Sequence, residues 1–174
     1  MNNNNDLNPY KPTKFSKWPT WLKVLILKVW TAGAIFYFVF MSFEVFSILP
    51  NLEDRWLVLG LILILGNEYF INLLIKSMVH QKDKLNNYAM FIKSKYSIVA
   101  NIFYVLITLI LTIILGSLLL RLDISLSKLS MPNRDATWDP FTFGFIYYFV
   151  DSSLIFIVNL IKNYIKKRGV KDEV

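Results

Sequence analysis

Cysteine is missing from all 174 residues, and there is a single histidine. Without a thiol the chain forms no disulfide, holds no thiolate-ligated metal and performs no dithiol redox chemistry. Glycine and proline are scarce, six of each, which excludes collagen-like and Gly/Pro-rich low-complexity chains. Charge is thin as well: 18% of residues are Asp, Glu, Lys or Arg, against about a quarter in soluble domains. In its place 55% of residues are hydrophobic and 16% aromatic, and the mean hydropathy is +0.46. Neither a disordered chain nor an ordinary water-soluble globule has this balance.

The apolar residues are concentrated in four runs, 22–43, 56–75, 96–120 and 141–161. Their interior charges are few: Lys23 and Lys28 early in the first, Glu68 in the second, Asp151 in the fourth, none in the third. About 20 mainly apolar residues suffice to cross roughly 30 Å of hydrocarbon as a helix. Runs of this length exceed barrel strands, and a backbone in lipid must bond to itself, so helices are expected. The sequence therefore predicts an all-α, polytopic integral membrane protein with four transmembrane helices, near 22–46, 56–76, 96–120 and 141–162. A single transmembrane domain, 21–165, lies between a flexible Asn-rich tail, 1–20, broken by Pro9, Pro12 and Pro19, and a basic tail, 166–174. No small-x-small cleavage site follows the first run, so it is expected to be an uncleaved anchor rather than a secretory signal.

The formal charge is +7, and its distribution sets an orientation. Lys11, Lys14, Lys17, Lys23 and Lys28 precede or open the first helix. Lys76, Lys82, Lys84, Lys93 and Lys95 fall between the second and third, and Lys162, Lys166, Lys167, Arg168 and Lys171 at the end. Only Arg55, Arg121, Lys128 and Arg134 belong to the other side. Basic residues stay on the cytosolic side in short loops, so both termini are expected in the cytosol (N-in/C-in) of a plasma (inner) membrane protein. Trp18 and Trp21 then mark the inner interface, Trp56 and Trp138 the outer. The basic clusters are explained by topology and anionic lipid, and no nucleic-acid motif accompanies them. Fifteen lysines to four arginines, with abundant Asn, hint at an AT-rich bacterial source.

Ionisable groups at membrane depth are costly and mark candidate sites. Glu68 lies twelve residues below Trp56 and Asp151 ten below Phe141, about 18 and 15 Å along their helices at 1.5 Å per residue. Asn67, Asn72, Ser152, Ser153 and Asn159 lie at similar or deeper levels, and Asn101 enters from the cytosolic side. Lys28 is long enough to reach Glu68 or to snorkel to the headgroups. Tyr147 and Tyr148, one turn before Asp151, are candidate donors to its carboxylate. A shared polar cluster, or a vestibule opening inward, is expected. It serves either as a proton- or ion-binding site or as a packing element. Helix three carries Ser97, Asn101, Tyr104, Thr108, Thr112 and Gly116 at steps of three and four, a small and polar face suited to helix packing in lipid.

No catalytic set accompanies these groups. His80 sits in the 76–95 loop, away from Ser152 and Ser153, and there is no HExxH, phosphate-binding Gly loop or metal cluster. No catalytic, metal or cofactor residue is assigned. Gly66-Asn67-Glu68 and Val150-Asp151-Ser152 superficially resemble the two aspartate motifs of lipoprotein signal peptidases. Phe70 and Ile71 stand where that family has Asp and Arg, and the motifs come in the reverse order, so no catalytic role carries over. Small multidrug exporters likewise use a membrane glutamate, an analogy of chemistry only. The 76–95 loop and the 121–140 outer loop mix apolar with polar residues and are candidates for lying on lipid or docking a partner. The expected function is a small non-catalytic accessory or scaffold subunit of a larger membrane complex. The alternative is a small oligomeric, proton-coupled transporter using the intramembrane carboxylates. The expected partners are the bilayer and other membrane subunits or a second copy.

Overall fold

The computed structural model describes residues 18–42, 51–78, 87–89, 97–126, 128, 135 and 137–169. Among them the regular elements are all helical. Helix α1 covers Thr20–Tyr37 and continues as a π-helical turn, Phe38–Ser42. Pro19 precedes it in extended conformation, and its carbonyl accepts from the Leu22 and Lys23 amides at 3.1 and 3.3 Å. Val24, Lys28, Val29, Ala32, Gly33 and Phe36 are buried, at helical spacing along one face. The expected continuation to residue 46 lies outside the described residues.

Helix α2 comprises Leu52–Leu65, a π-helical turn Gly66–Ile71, and a last segment Asn72–Met78. It begins earlier than the expected residue 56 because Asn51 stands extended at the N-cap position. Glu53 and Asp54 then fall in the first turn, where carboxylates favour the helix dipole. The Asn51 amide donates to Asp54 Oδ2 at 3.0 Å, and Arg55 donates to the Phe40 carbonyl in the α1 π-turn.

Helix α3 is Ser97–Arg121, in the region where 96–120 is expected to span. It ends in a pair of hydrogen bonds of the Schellman type: Ile124 N–H to Leu119 O at 2.9 Å and Asp123 N–H to Leu120 O at 3.0 Å. Asp123 occupies the left-handed position (φ 61°) where glycine is usual. Helix α4, Pro140–Gly169, is the longest at 30 residues. Asp139 caps it: Oδ1 accepts the Phe141 and Thr142 amides at 3.0 and 2.9 Å, and Pro140 fills the first helical position, which needs no N–H. The far end passes the expected residue 162, so the first residues of the expected tail, 166–174, are helical.

Among the described residues three helices are long and apolar enough to cross a membrane: Thr20–Met41, Ile98–Arg121 and Pro140–Ile165. In the bundle α1 packs most extensively against α4, α3 bridges α4 and α2, and α2 also touches α1. Small residues make the α1–α4 crossing close. A Cβ added to Gly33 would sit 2.6 Å from the Pro140 carbonyl oxygen, and one added to Gly144 would collide with the Val29 carbonyl. Trp138 lies over Gly116 in the same manner. Beside this crossing Phe36 stacks on Phe143 (ring centroids 4.7 Å apart) and Trp56 meets Trp138 edge-on at 5.8 Å. Trp56 and Trp138 pack against the core, whereas Trp18 and Trp21 are exposed.

Candidate buried polar site

Lys28 on α1 and Asp151 on α4 are each 3% exposed, and their side chains form an ion pair through Nζ and Oδ2. Side chains on a helix lean toward its N-terminus. On antiparallel α1 and α4 these leanings converge, so Lys28 reaches a residue nearly two turns beyond Gly144, which itself faces Val29. The ammonium also donates to the Tyr88 backbone carbonyl at 2.6 Å. The other carboxylate oxygen, Oδ1, accepts the Tyr104 hydroxyl of α3 at 2.5 Å. Three helices thus meet at a single carboxylate, and a connecting turn holds its counter-ion. A charge-assisted hydrogen bond on each oxygen is what a carboxylate removed from water needs.

Tyr104 is 8% exposed, and the residues following it on α3 form the inward face the spacing predicted. Thr108 and Thr112 are fully buried. Their hydroxyls bond back to the Tyr104 and Thr108 carbonyls at 2.8 and 2.7 Å, so the face is small and self-satisfied rather than a polar lining. Gly116, also buried, takes Trp138. The side chain of Ser97 lies outside the described residues. Asn72 and Asn101 are buried, each 6% exposed.

Several expectations change here. Lys28 does not snorkel; its ammonium is buried and pairs with Asp151. The donor to Asp151 is Tyr104, whereas Tyr147 is buried against Phe143 and Tyr148 is half-buried. The side chains of Asn67 and Glu68, within the π-turn, lie outside the described residues. The Tyr104 contact had a signal in the sequence: Tyr104 stands seven residues into α3 and Lys28 eight into α1, both rising from the same end of the bundle. Tyr88 had none, because a backbone carbonyl carries no residue signature.

The turn that supplies this carbonyl, Asn87–Ala89, is inserted into the bundle. Ala89 is 2% exposed in a small cluster with Val24, Ile71 and Ile75, and Tyr88 packs on the same cluster. Asn87 lines a recess of about 370 Å³ along α4, together with Ser152, Ile155, Phe156, Asn159, Leu160 and Asn163. Among the described residues no three His, Asp or Glu come together as a metal site.

Compared with known proteins, the chain matches no protein family, no curated protein and no solved structure.

The site is thus defined by its own geometry. It neutralises charge inside the bundle and joins α1, α3 and α4 at one point. Two further cavities lie elsewhere. One of about 380 Å³, on the outside of the α1–α4 crossing, is lined by Trp30, Gly33, Ala34, Tyr37 and Phe141. The other, about 450 Å³, lies between the α3 end and α4 and includes Asp123, Lys128 and Thr142.

Proposed function

We propose that the chain is a non-catalytic subunit of a membrane-protein complex, a four-span scaffold that offers its outer face to a partner. The observation that carries this reading is the closure of the deep carboxylate. Asp151 has its counter-ion and a phenol donor within the bundle, and the three cavities described above are lined by other residues than Lys28, Tyr104 and Asp151. A carboxylate committed in this way fixes helix packing. In this reading α2 is the fourth span, and both termini lie in the cytosol of a bacterial inner membrane. That orientation rests on the Lys and Arg distribution.

The groove on the α1–α4 crossing supports a partner helix. Trp30, 69% exposed, sits ten residues into a 22-residue span, where an indole is out of place against hydrocarbon. Ala34 beside it is exposed and small enough to allow close approach of another backbone. Native mass spectrometry of the untagged protein after gentle extraction tests the proposal. A stoichiometric foreign subunit, lost in Trp30→Leu, is expected; a homo-oligomer alone overturns it. A reporter at Asn86 tests the orientation, with cytosolic exposure expected.

The second reading is a proton-coupled transporter, favoured by the recess along α4 that reaches Ser152, next to Asp151. Asp151→Asn separates the two: if assembly and growth phenotype are preserved, proton chemistry at this position is excluded.

A further inference from the structure

Helix α3 ends and α4 begins at the same face of the bundle, and the cavity of about 450 Å³ lies between those two ends. Its volume falls in the range of small-ligand pockets, about 300–1,000 Å³. Its lining changes in kind with depth. Phe145 and Ile146 stand five and six residues into α4, about 7.5 and 9 Å below its start at 1.5 Å per residue. Leu119 and Leu126 complete the apolar wall. Asp123, two residues past the end of α3, and Lys128 are the charged members of the lining; they pair with each other and remain 56% and 30% exposed. Where α3 and α4 span a bilayer their ends lie at headgroup level, so both charges meet headgroups while the apolar wall meets the first part of the acyl chains.

The walls are tied together. The Thr142 hydroxyl, buried in α4, accepts the Leu126 amide at 2.8 Å and donates to Asp139 Oδ2 at 2.5 Å, which fastens the chain after α3 to the cap of α4. The Lys128 amide donates to Ser125 Oγ at 3.4 Å. Asp123 takes the left-handed position that closes α3, between exposed Leu122 and Ile124. A carboxylate is thus carried at the polar–apolar boundary, on a position where glycine is usual.

We propose that this cavity binds one zwitterionic phospholipid with a primary ammonium, of the phosphatidylethanolamine type: the ammonium on Asp123, the phosphate on Lys128 and the head of an acyl chain along Phe145 and Ile146. Binding exchanges one ion pair for two, and an exposed pair such as Asp123–Lys128 is cheap to open. A primary ammonium donates three hydrogen bonds to oxygen acceptors. A quaternary one donates none and is held by aromatic faces; Phe145, the aromatic ring of this lining, stands at acyl depth rather than beside the charges. A purely anionic headgroup meets Asp123, and Asp139 at the nearby cap, with Lys128 as the cation among the described lining residues. The site belongs to the end of the bundle where α3 stops and α4 starts, whichever side of the membrane that end faces. It is separate from the groove on the α1–α4 crossing.

Native mass spectrometry of the full chain, titrated with phosphatidylethanolamine, phosphatidylcholine and phosphatidylglycerol of identical acyl chains, tests the site. One phosphatidylethanolamine is expected to bind about fivefold or more tighter than either other lipid, the upper worth of one partly exposed charge contact. Asp123→Asn and Asp123→Gly both suit the left-handed backbone, so the end of α3 is kept while the carboxylate is lost. In both variants phosphatidylethanolamine is expected to fall to the affinity of phosphatidylcholine. Lys128→Gln is expected to weaken these two lipids by the same factor, about threefold or more, because both carry the phosphate. Equal affinities of the three lipids for the native chain, or a preference for phosphatidylglycerol, overturn the proposal. So does an ethanolamine preference that survives Asp123→Asn, since it then belongs to another part of the surface. Unchanged affinities in Lys128→Gln overturn it as well.

Discussion

Breaking the Lys28–Asp151 pair from one side and then from both gives the most discriminating measurement of what the buried site does. Lys28→Met keeps the length and apolar stem of the side chain but removes the charge. Asp151 then stays ionised beside the Tyr104 hydroxyl alone, or it takes up a proton; either way a buried carboxylate has lost its counter-ion, at about 3–5 kcal/mol. Asp151→Asn keeps the shape and an acceptor for Tyr104, and strands the Lys28 ammonium with the Tyr88 carbonyl as its remaining partner among the bonds described. A lone cation at that depth costs about 2.5–3.5 kcal/mol on insertion scales. In the double variant no charge is left to compensate, the Tyr104 bond is retained, and the side chains still fill the space. The double variant is therefore expected to be more stable than either single one, with a coupling energy of about 3 kcal/mol, roughly a hundredfold in the folding constant. The assay is reversible unfolding in mixed micelles with rising SDS, followed by tryptophan emission. Trp56 and Trp138, 5.8 Å apart and packed on the core, report separation of α2 from α4 directly. If the two single costs add to within about 0.5 kcal/mol, the pair is not a unit and the reasoning fails.

Three further outcomes follow from the geometry. Tyr104→Phe removes a charge-assisted donor from a buried carboxylate and is expected to cost about 1.5–3 kcal/mol in the same unfolding assay. Gly144→Ile drives a branched side chain into the Val29 backbone. It should separate α1 from α4, read as loss of a disulfide engineered across the crossing, while Ile146→Val nearby leaves it intact. Asp139→Ala strips the α4 cap of both side-chain bonds to amides and of the Thr142 hydroxyl bond. It is expected to lower stability by about 1–2 kcal/mol and to raise hydrogen exchange at Phe141 and Thr142 first.

What was legible in the sequence follows the physics that acts locally. Long uncharged runs fix helices in a low-dielectric solvent whatever their neighbours, so α3 forms where a span is expected and the small face from Tyr104 to Gly116 turns inward as its spacing requires. Lys28 and Asp151 stood out because charge at such depth is rare. Their pairing did not, because it depends on which helices are neighbours, and the choice between Glu68 and Asp151 for Lys28 has no local determinant. The π-turns at Phe38–Ser42 and Gly66–Ile71 were equally hidden, since one extra residue in a turn leaves the apolar pattern nearly unchanged. The roles of Trp56 and Trp138 escaped for the opposite reason: a helix-end tryptophan looks alike whether it faces headgroups or a neighbouring glycine such as Gly116.

The separation of Lys28 from Asp151 has a consequence for how the protein is made. The two residues are 123 positions apart, on the first helix and the last. At about 5–20 residues per second, synthesis holds the lysine in the bilayer for roughly 6–25 s before its carboxylate exists. Throughout that interval α1 carries a lysine whose carboxylate partner in the finished bundle has not yet been made. A chain that stops short of α4 never acquires that partner.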